Sequence, residues 1–376
     1  MSSLETKWLP SMSAVGREAW NSLAVPAGNP MLLWEYLNLL ETTGNVSPGT
    51  GWTPAHFTLW RGKELAAAAP MYIKTASAGE FVFDYLWVEV AERVGKPYYP
   101  KLVGMAPLTP CRGYRLLTEP GAETELTLRL LEEVEAYCRR RKIHAAAFHF
   151  CDPSWSALLS GRPANDYTAW NHVDFIMHPK DFSSWEDYIR HLSKNARKNA
   201  RRETESMAEQ NIVLRMVPGR EAPDSYYGLM WEYYADTNRK FGPWAAMFLN
   251  REFFRRLKEA MPDNHIFCAA YKGRGAGEQG NDEPVGLSLF FTSAAVLLGR
   301  YWGANDFYQN LHFNVCYYEP VRWAIGQGIG TFDPGMGGDH KARRGFLPQM
   351  HASMHRFFDP LMEAVFKGNI HVFNDH

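Results

Sequence analysis

Long apolar runs are missing from this sequence. None approaches the roughly 18 to 20 residues that a helix needs to cross a bilayer, so no transmembrane segment is expected. Met1-Ser-Ser-Leu-Glu5 opens with an acid and no apolar block, which argues against a secretory signal and for a cytoplasmic protein. Cysteine is scarce: Cys111, Cys138, Cys151, Cys268 and Cys316 are odd in number, scattered, and contain no C-x-x-C pair. A disulfide framework and a zinc site of the usual spacing are therefore not indicated, and a reducing compartment fits. An excess of either charge is missing too. The 40 Lys+Arg against 41 Asp+Glu, with a pI near 6.9, count against a general nucleic-acid binder, so any anion contact must be local. Low-complexity tracts and short-period repeats are also lacking. Aromatics, in contrast, are 14% of the chain and include 13 Trp. Large cores and aromatic-lined pockets account for them, with a surface meeting lipid or a long acyl chain as the sharper alternative.

At 376 residues the chain exceeds the ~250 at which single cores tend to divide, so two domains are expected, 1–170 and 171–376, joined near Asn165 to His172. Periodicity and turn residues predict helices over Met31 to Thr43, Glu123 to Lys142, Tyr226 to Lys240, Arg251 to Ala260 and Gln309 to Gly326. They predict strands at His56 to Trp60, Leu65 to Ile73, His144 to Phe150, Asp174 to Met177, Ile212 to Val217, Ile266 to Tyr271, Val285 to Phe291, Ala295 to Trp302 and Gln349 to Phe358. The polar, Gly-rich stretch Arg274 to Asp282 reads as a surface loop. The alternation gives a mixed α/β (α+β) class with antiparallel-leaning sheets.

One segment breaks the charge balance. His191 to Glu203, "HLSKNARKNARRE", carries five basic residues before its first acid. On a helix, Arg190, Lys194, Arg197, Lys198, Arg201 and Arg202 crowd one face while Leu192, Ala196, Ala200 and Met207 take the other. Ser183 three residues before Glu186 predicts a cap at the start, and Ser193 a second cap for a continuing helix. The stripe is either a solvated helix face or a site for nucleotide phosphates, RNA backbone or an acidic surface.

"NPMLLWEYLNLLETTGNVSPGTGWTP", "GEFVFDYLW", "YYPKLVGMAPLTP", "LLGRYWG", "LHFNVCYYEPVRWAI" and "GDHKARRGFLP" together resemble the FemAB-like predicted N-acyltransferases, from about Asn29 to Phe358. The resemblance implies two tandem GNAT-like domains, and "RKNARRETESMAEQNIVLRMV" is similar to the basic helix and strand that open the second domain of Fem-type transferases. It departs from the usual GNAT pattern in one place: a Q/R-x-x-G-x-G/A pyrophosphate loop should follow a strand, but the chain after Trp302 reads Gly303-Ala-Asn-Asp-Phe-Tyr-Gln-Asn-Leu-His312. A helix N-terminus there still offers free N–H groups to a phosphate, but without those glycines the protein backbone approaches it less closely. Fem-type enzymes, by the same resemblance, take their acyl group from aminoacyl-tRNA, whose phosphates the basic stripe would suit.

Acyl transfer to an amine needs a base for the amine proton, donors for the oxyanion and a proton for the leaving group. His312, Tyr318 and Glu319 lie on one predicted helix, with His312 and Glu319 at i and i+7 on a common face. The stretch Gly335 to Gly345 places Asp339, His340, Lys341, Arg343 and Arg344 in a Gly-rich loop. His340 or Glu319 is the expected proton acceptor, kept neutral in the case of His340 by Lys341, with His312 as a further candidate. Lys341 and Arg344 are expected to hold the donor phosphate or the oxyanion, and Arg197, Lys198 and Arg201 the rest of the donor. The loop is expected to meet the start of the Gln309 helix in a cleft between the domains. Asp84, in an apolar stretch, is either a structural hydrogen-bonder or a site residue. No spacing supports a metal site.

The expected function is N-acyl transfer from acyl-CoA or aminoacyl-tRNA as co-substrate, with no tightly bound cofactor, to an amine on a cell-wall precursor or a lipid-like molecule. A tRNA contact and a peripheral membrane contact are the further partners considered. The competing readings are a non-catalytic peptidoglycan-recognition module and an RNA-associated protein.

Overall fold

The structure is a computed structural model that describes residues 4–160, 167–242, 245–273 and 283–374. The expected loop from Arg274 to Asp282 lies outside the described residues, as does part of the expected joint near Asn165. The chain forms two compact units, one of Met1–Ala27, Met31–Val173 and Met350–His376, the other of Gly28–Pro30 and Asp174–Gln349. The block 171–376 expected as a single C-terminal domain is thus divided. Strand Leu347–Phe357 runs antiparallel to Ala145–Phe148, pairing Met354 with Phe148 through to Phe357 with Ala145. Helix Pro360–Asn374 then lays Phe366 and Phe373 against Trp87, at ring-centroid distances of 4.6 and 5.2 Å. Pairing between strands so distant in sequence leaves no local trace, so local patterns do not predict it.

In the first unit, Leu4–Leu9, His56–Arg61, Glu64–Ala69 and Leu117–Thr118 make a four-stranded sheet. A six-stranded sheet runs Trp52–Pro54, Met71–Lys74, Lys101–Gly104, Ala145–Phe148, Leu347–Phe357, Thr168–Ile176. Pro70, with no N–H to give a ladder, divides the single strand expected over Leu65 to Ile73 into two that join different sheets.

The second unit holds a five-stranded sheet in the order Ile212–Pro218, His265–Lys272, Gly286–Thr292, Val296–Ala304, Thr331–Asp333. The first four are antiparallel and the last runs parallel to its neighbour. Alternate residues serve opposite faces. Cys268 and Ala270 join Ile189, Ala200, Val315 and Val321 in one core, while Phe267 meets the rings of Tyr226 and Tyr227 from helix Ser225–Arg239. The basic segment is two helices, Trp185–His191 and Lys194–Glu209. The first cap falls one residue later than expected: Ser184, not Ser183, accepts from the Asp187 N–H at 3.1 Å. Ser193 caps the second helix through the Ala196 N–H, as its position predicts.

Candidate active site

The parallel pair in the second unit is short. Val296, Leu297 and Leu298 face Thr331, Phe332 and Asp333, after which one strand continues to Ala304 and the other chain turns away at Pro334. Strands that part in this way open a gap at their carboxyl ends, the place where ligands enter α/β sheets. Here the gap is a slot of about 60 Å³ walled by Ser288, Arg300, Trp302, His312, Cys316 and Tyr317. Arg300 reaches Asp333 at 2.9 Å, both nearly buried, and fixes the floor. Next to it lies a groove of about 790 Å³ lined by Thr237, Arg239, Phe307, Tyr308, Phe313 and others. Trp302 and His312 line both spaces.

His312 is set by the helical run Leu311–Gln327 and packs at a tilt against Trp302, ring centroids 4.4 Å apart. Its ring nitrogens have no hydrogen-bond partner among the described residues. Burial, then the neighbouring His340, Arg344 and Lys341, hold its pKa down to about 4, so it is a neutral imidazole at pH 7. The loop meets this helix as expected, but inside the second unit. His340 Nε2 lies 2.9 Å from the Tyr317 hydroxyl and its ring centroid 6.1 Å from that of His312. A Cβ on Gly338, which has φ +90°, would fall 2.3 Å from the His340 ring, so only glycine lets the ring fold back there.

Glu319 does not join this cluster. Residues Asn314–Tyr318 form a π turn, whose i→i+5 bonds insert extra chain and cancel the i, i+7 coincidence that the α-helical expectation placed on His312 and Glu319. Glu319 instead accepts from Arg322 at 2.8 Å, and burial raises its pKa. The proton-acceptor role expected of it lacks the geometry.

The Gly-rich loop is also less open than expected, since Asp339–Arg344 is a 3-10 helix with two cations turned inward. Arg344 lies over the Phe313 ring at 3.5 Å and donates to Glu203 Oε2 at 2.6 Å. The Tyr318 hydroxyl donates to the same oxygen at 2.6 Å. Lys341 is 2% exposed and donates to the Gly335 carbonyl at 2.6 Å; burial brings its pKa down to about 8. Holding a donor phosphate would strip both of these partners, so the expected anion role of Lys341 and Arg344 gives way to a structural one. Arg343 is exposed.

The basic stripe divides as well. Arg197 donates to the carbonyls of Arg190 and Leu192 at 2.9 and 3.1 Å, closing the end of the preceding helix, whereas Lys198, Arg201 and Arg202 are exposed. Glu203, the acid that ends the basic run, serves as the buried counter-charge of Arg344.

Asp84 belongs to the first unit and to a sealed network. Lys101 donates to Asp84, to Ser77 at 3.0 Å and pairs with Glu80 at 2.7 Å; the Tyr98 hydroxyl donates to Asp84 at 2.6 Å; His149 Nε2 sits 3.0 Å from Glu80. The Lys101 ammonium and these hydrogen bonds outweigh burial and hold the Asp84 carboxyl well below the usual carboxylate range. Of the two roles open to it, Asp84 takes the structural one. Lys74, Glu80, Lys101, His149, His172 and His355 are not singled out by sequence reasoning. The available signal was charged or imidazole side chains inside otherwise apolar strands, "MYIK", "KLVG" and "MHASMHRF". Among the described residues no cluster of His, Cys, Asp or Glu is placed to hold a metal ion. Nor is any helix among them long and apolar enough to cross a membrane.

Comparison with known proteins places the chain. Residues 11–374 match the FemAB-like family, described as peptidoglycan biosynthesis/recognition. The protein belongs to the FemAB-like family. Its fold is similar to the crystal structure of FemX, with a TM-score of 0.58 at 10% identity over 97% of this chain and 100% of that one. It is also similar to the C-terminal domain of a candidate lysylphosphatidylglycerol synthetase from Agrobacterium fabrum, with a TM-score of 0.55 at 8% identity over 93% and 95%. A conserved protein of unknown function from Bacteroides thetaiotaomicron VPI-5482 gives 0.53 at 9% identity over 93% and 99%. Comparison with curated proteins yields no match. The FemAB-like protein thus has the mixed α/β class that its sequence predicts, in a fold it shares with FemX.

Proposed function

We propose that this FemAB-like protein is an N-acyltransferase that joins an activated acyl or aminoacyl group to an amine in the split between strands Val296–Ala304 and Thr331–Asp333. The observation that carries the reading is His312: neutral, without a hydrogen-bond partner among the described residues, and standing where slot and groove meet. The donor carbonyl enters the slot and the amine attacks it. The ammonium N–H of the tetrahedral adduct is more acidic than that of a free ammonium, and the neutral His312 imidazole takes its proton in transit to the leaving group, which an imidazolium held at low pKa readily protonates. The Tyr317 hydroxyl, held by His340, supplies a hydrogen bond to the oxyanion, and the proton taken up by His312 passes on to the departing thiolate or ribose oxygen. Transfer is direct. Cys316 also lines the slot, but burial raises its thiol pKa well above the usual value and removes the thiolate that a covalent acyl intermediate needs.

The donor is acyl-CoA or aminoacyl-tRNA as co-substrate, with no tightly bound cofactor. Gln210 supports the second: its side chain accepts from the Gln309 N–H at 3.1 Å and donates to the Gln309 carbonyl at 3.0 Å, so the backbone entering the helix is already engaged where a pyrophosphate would bind. The acceptor class is an amine of a cell-wall precursor or a lipid-like amine. The test is mass-spectrometric detection of amide product with acyl-CoA and aminoacyl-tRNA panels. His312→Ala is expected to slow transfer roughly 100- to 10,000-fold with little change in melting temperature. Undiminished transfer by that variant overturns the assignment. Tight binding of peptidoglycan fragments with no product from any donor would make the protein a recognition module.

A further inference from the structure

The segment from Glu80 to Trp87 inverts the usual order of inside and outside. Glu80 and Asp84 are 0% and 2% exposed, while Phe83, Tyr85 and Leu86 are 65%, 59% and 40% exposed. Carboxylates are the side chains least often buried, and aromatics among those most often buried. Both acids are drawn inward by one cation, Lys101. The residues between them are forced to match: Phe81 and Phe83 adopt φ of +59° and +53°, a region that bulky side chains rarely enter and that costs ~1–3 kcal/mol per residue. Behind the exposed side chains, Trp87 is anchored on Phe366 and Phe373. Such strain persists only where surrounding structure imposes it, and here the segment holds the apolar side chains of Phe83, Tyr85 and Leu86 in water.

We infer that Phe83, Tyr85 and Leu86 form a contact tip that seats on a lipid bilayer surface. Three side chains offer a few hundred Å² at most, since a whole aromatic buries roughly 150–250 Å². A stable protein interface, a second copy of this chain included, needs about 800 Å² from each partner. A bilayer needs no matching surface, and Phe, Tyr and Leu suit its interfacial layer, where Tyr keeps its hydroxyl wet. The helix that follows offers no basic patch. Glu89, Glu92 and Arg93 are its exposed charges, with Arg93 paired to Glu89. The contact is therefore apolar, indifferent to lipid charge and nearly insensitive to salt.

The test is flotation of the full-length protein with phosphatidylcholine vesicles at low and high salt. The wild type is expected to float in both. Phe83→Gly should reduce the vesicle-bound fraction about tenfold, the effect of removing one buried aromatic, while melting at or above the wild-type temperature, because glycine relieves the positive φ. Tyr85→Ser, free of that backbone change, should weaken binding severalfold, and neither should alter acyl transfer to a water-soluble amine. A merely structural Phe83 would give the opposite, a less stable Phe83→Gly variant with vesicle binding intact. Failure of the wild type to float, or flotation that requires anionic lipid and vanishes in high salt, overturns the proposal; the latter would assign the contact to the exposed Lys198, Arg201 and Arg202.

Discussion

Each unit contains a short parallel strand pair, and the two treat its carboxyl end in opposite ways. In the first unit Lys101–Gly104 and Ala145–Phe148 stay together past their ends: the His149 N–H reaches the Gly104 carbonyl at 2.9 Å, and Tyr114 bridges to Cys151. The Tyr114 hydroxyl lies 2.3 Å from where a Cβ on Gly104 would stand, and it donates to the Pro70 carbonyl at 3.0 Å. The gap is filled by a tyrosine that only a glycine admits. In the second unit the strands part, and an imidazole, a tyrosine and an indole line the opening. The first unit has used its split for packing and gathers the buried Glu80 and Asp84 on Lys101. The other sets polar groups beside an open space, which is the arrangement catalysis requires.

The largest effect expected from breaking this contrast lies at the cations. Lys101→Met removes the cation that pairs with two buried carboxylates and should cost about 3–5 kcal/mol, read by denaturant unfolding and by loss of amide protection in Ala145–Phe148. Lys341→Met is the control. Its ammonium bonds a carbonyl, and Asp333 keeps Arg300, so about 1–2 kcal/mol is expected. Equal losses would mean that the second site is as closed as the first.

That asymmetry was only partly legible in the sequence. Lys194–Glu209, Arg251–Ala260 and the central strands of the second unit follow from apolar period, caps and turn residues, because those are local properties. His312 and His340 were visible as ionisable residues near a strand end, and their meeting followed from both segments succeeding strands of one sheet. What stayed hidden depends on distance. Nothing local tells that Arg344 will find Glu203, that Lys101 will gather Glu80 and Asp84, or that a π turn will carry Glu319 away from His312. A polar residue in an apolar strand marks a buried partner without naming it.

Acid should separate the units next. His172 and His312 both have pKa values lowered to about 4 by burial, and burial also lowers His149 and His355. An unfolded histidine titrates near 6.5, so between about 6.5 and 4 the unfolded chain binds more protons than the folded one. Stability is thus fully present above pH 6.5 and falls as pH drops toward 4, below which His172 and His312 take nothing further from it. His172 and His312 each contribute at most about 3 kcal/mol. The first unit, with His149, His172 and His355 close together, should lose hydrogen-exchange protection at a higher pH than the second, where His312 and His265 alone have burial-lowered values of about 4 among the described residues. His172→Gln should flatten the loss in the first unit alone, whereas parallel loss in both units would show that the histidines are not the cause.

The smallest expected effects concern the basic helix, where neighbours in sequence take different parts. Arg197 donates two charge-assisted bonds to the carbonyls that end Trp185–His191, so Arg197→Ala should destabilise by about 1–3 kcal/mol through that helix end, whatever ligand is present. Lys198 and Arg201 are exposed to solvent on the same helix and should cost only about 0–1 kcal/mol each when replaced by Ala. If they steer an RNA-bearing donor, the Lys198→Ala, Arg201→Ala pair should weaken tRNA binding and lower the slope of log affinity against log salt by nearly two, one for each phosphate left without its cation. Arg197→Ala should leave that slope alone, since its guanidinium is engaged by backbone. A pair variant with wild-type affinity and slope would leave the stripe as a solvated face and turn the choice of donor toward acyl thioesters, for which no phosphate track along this helix is needed.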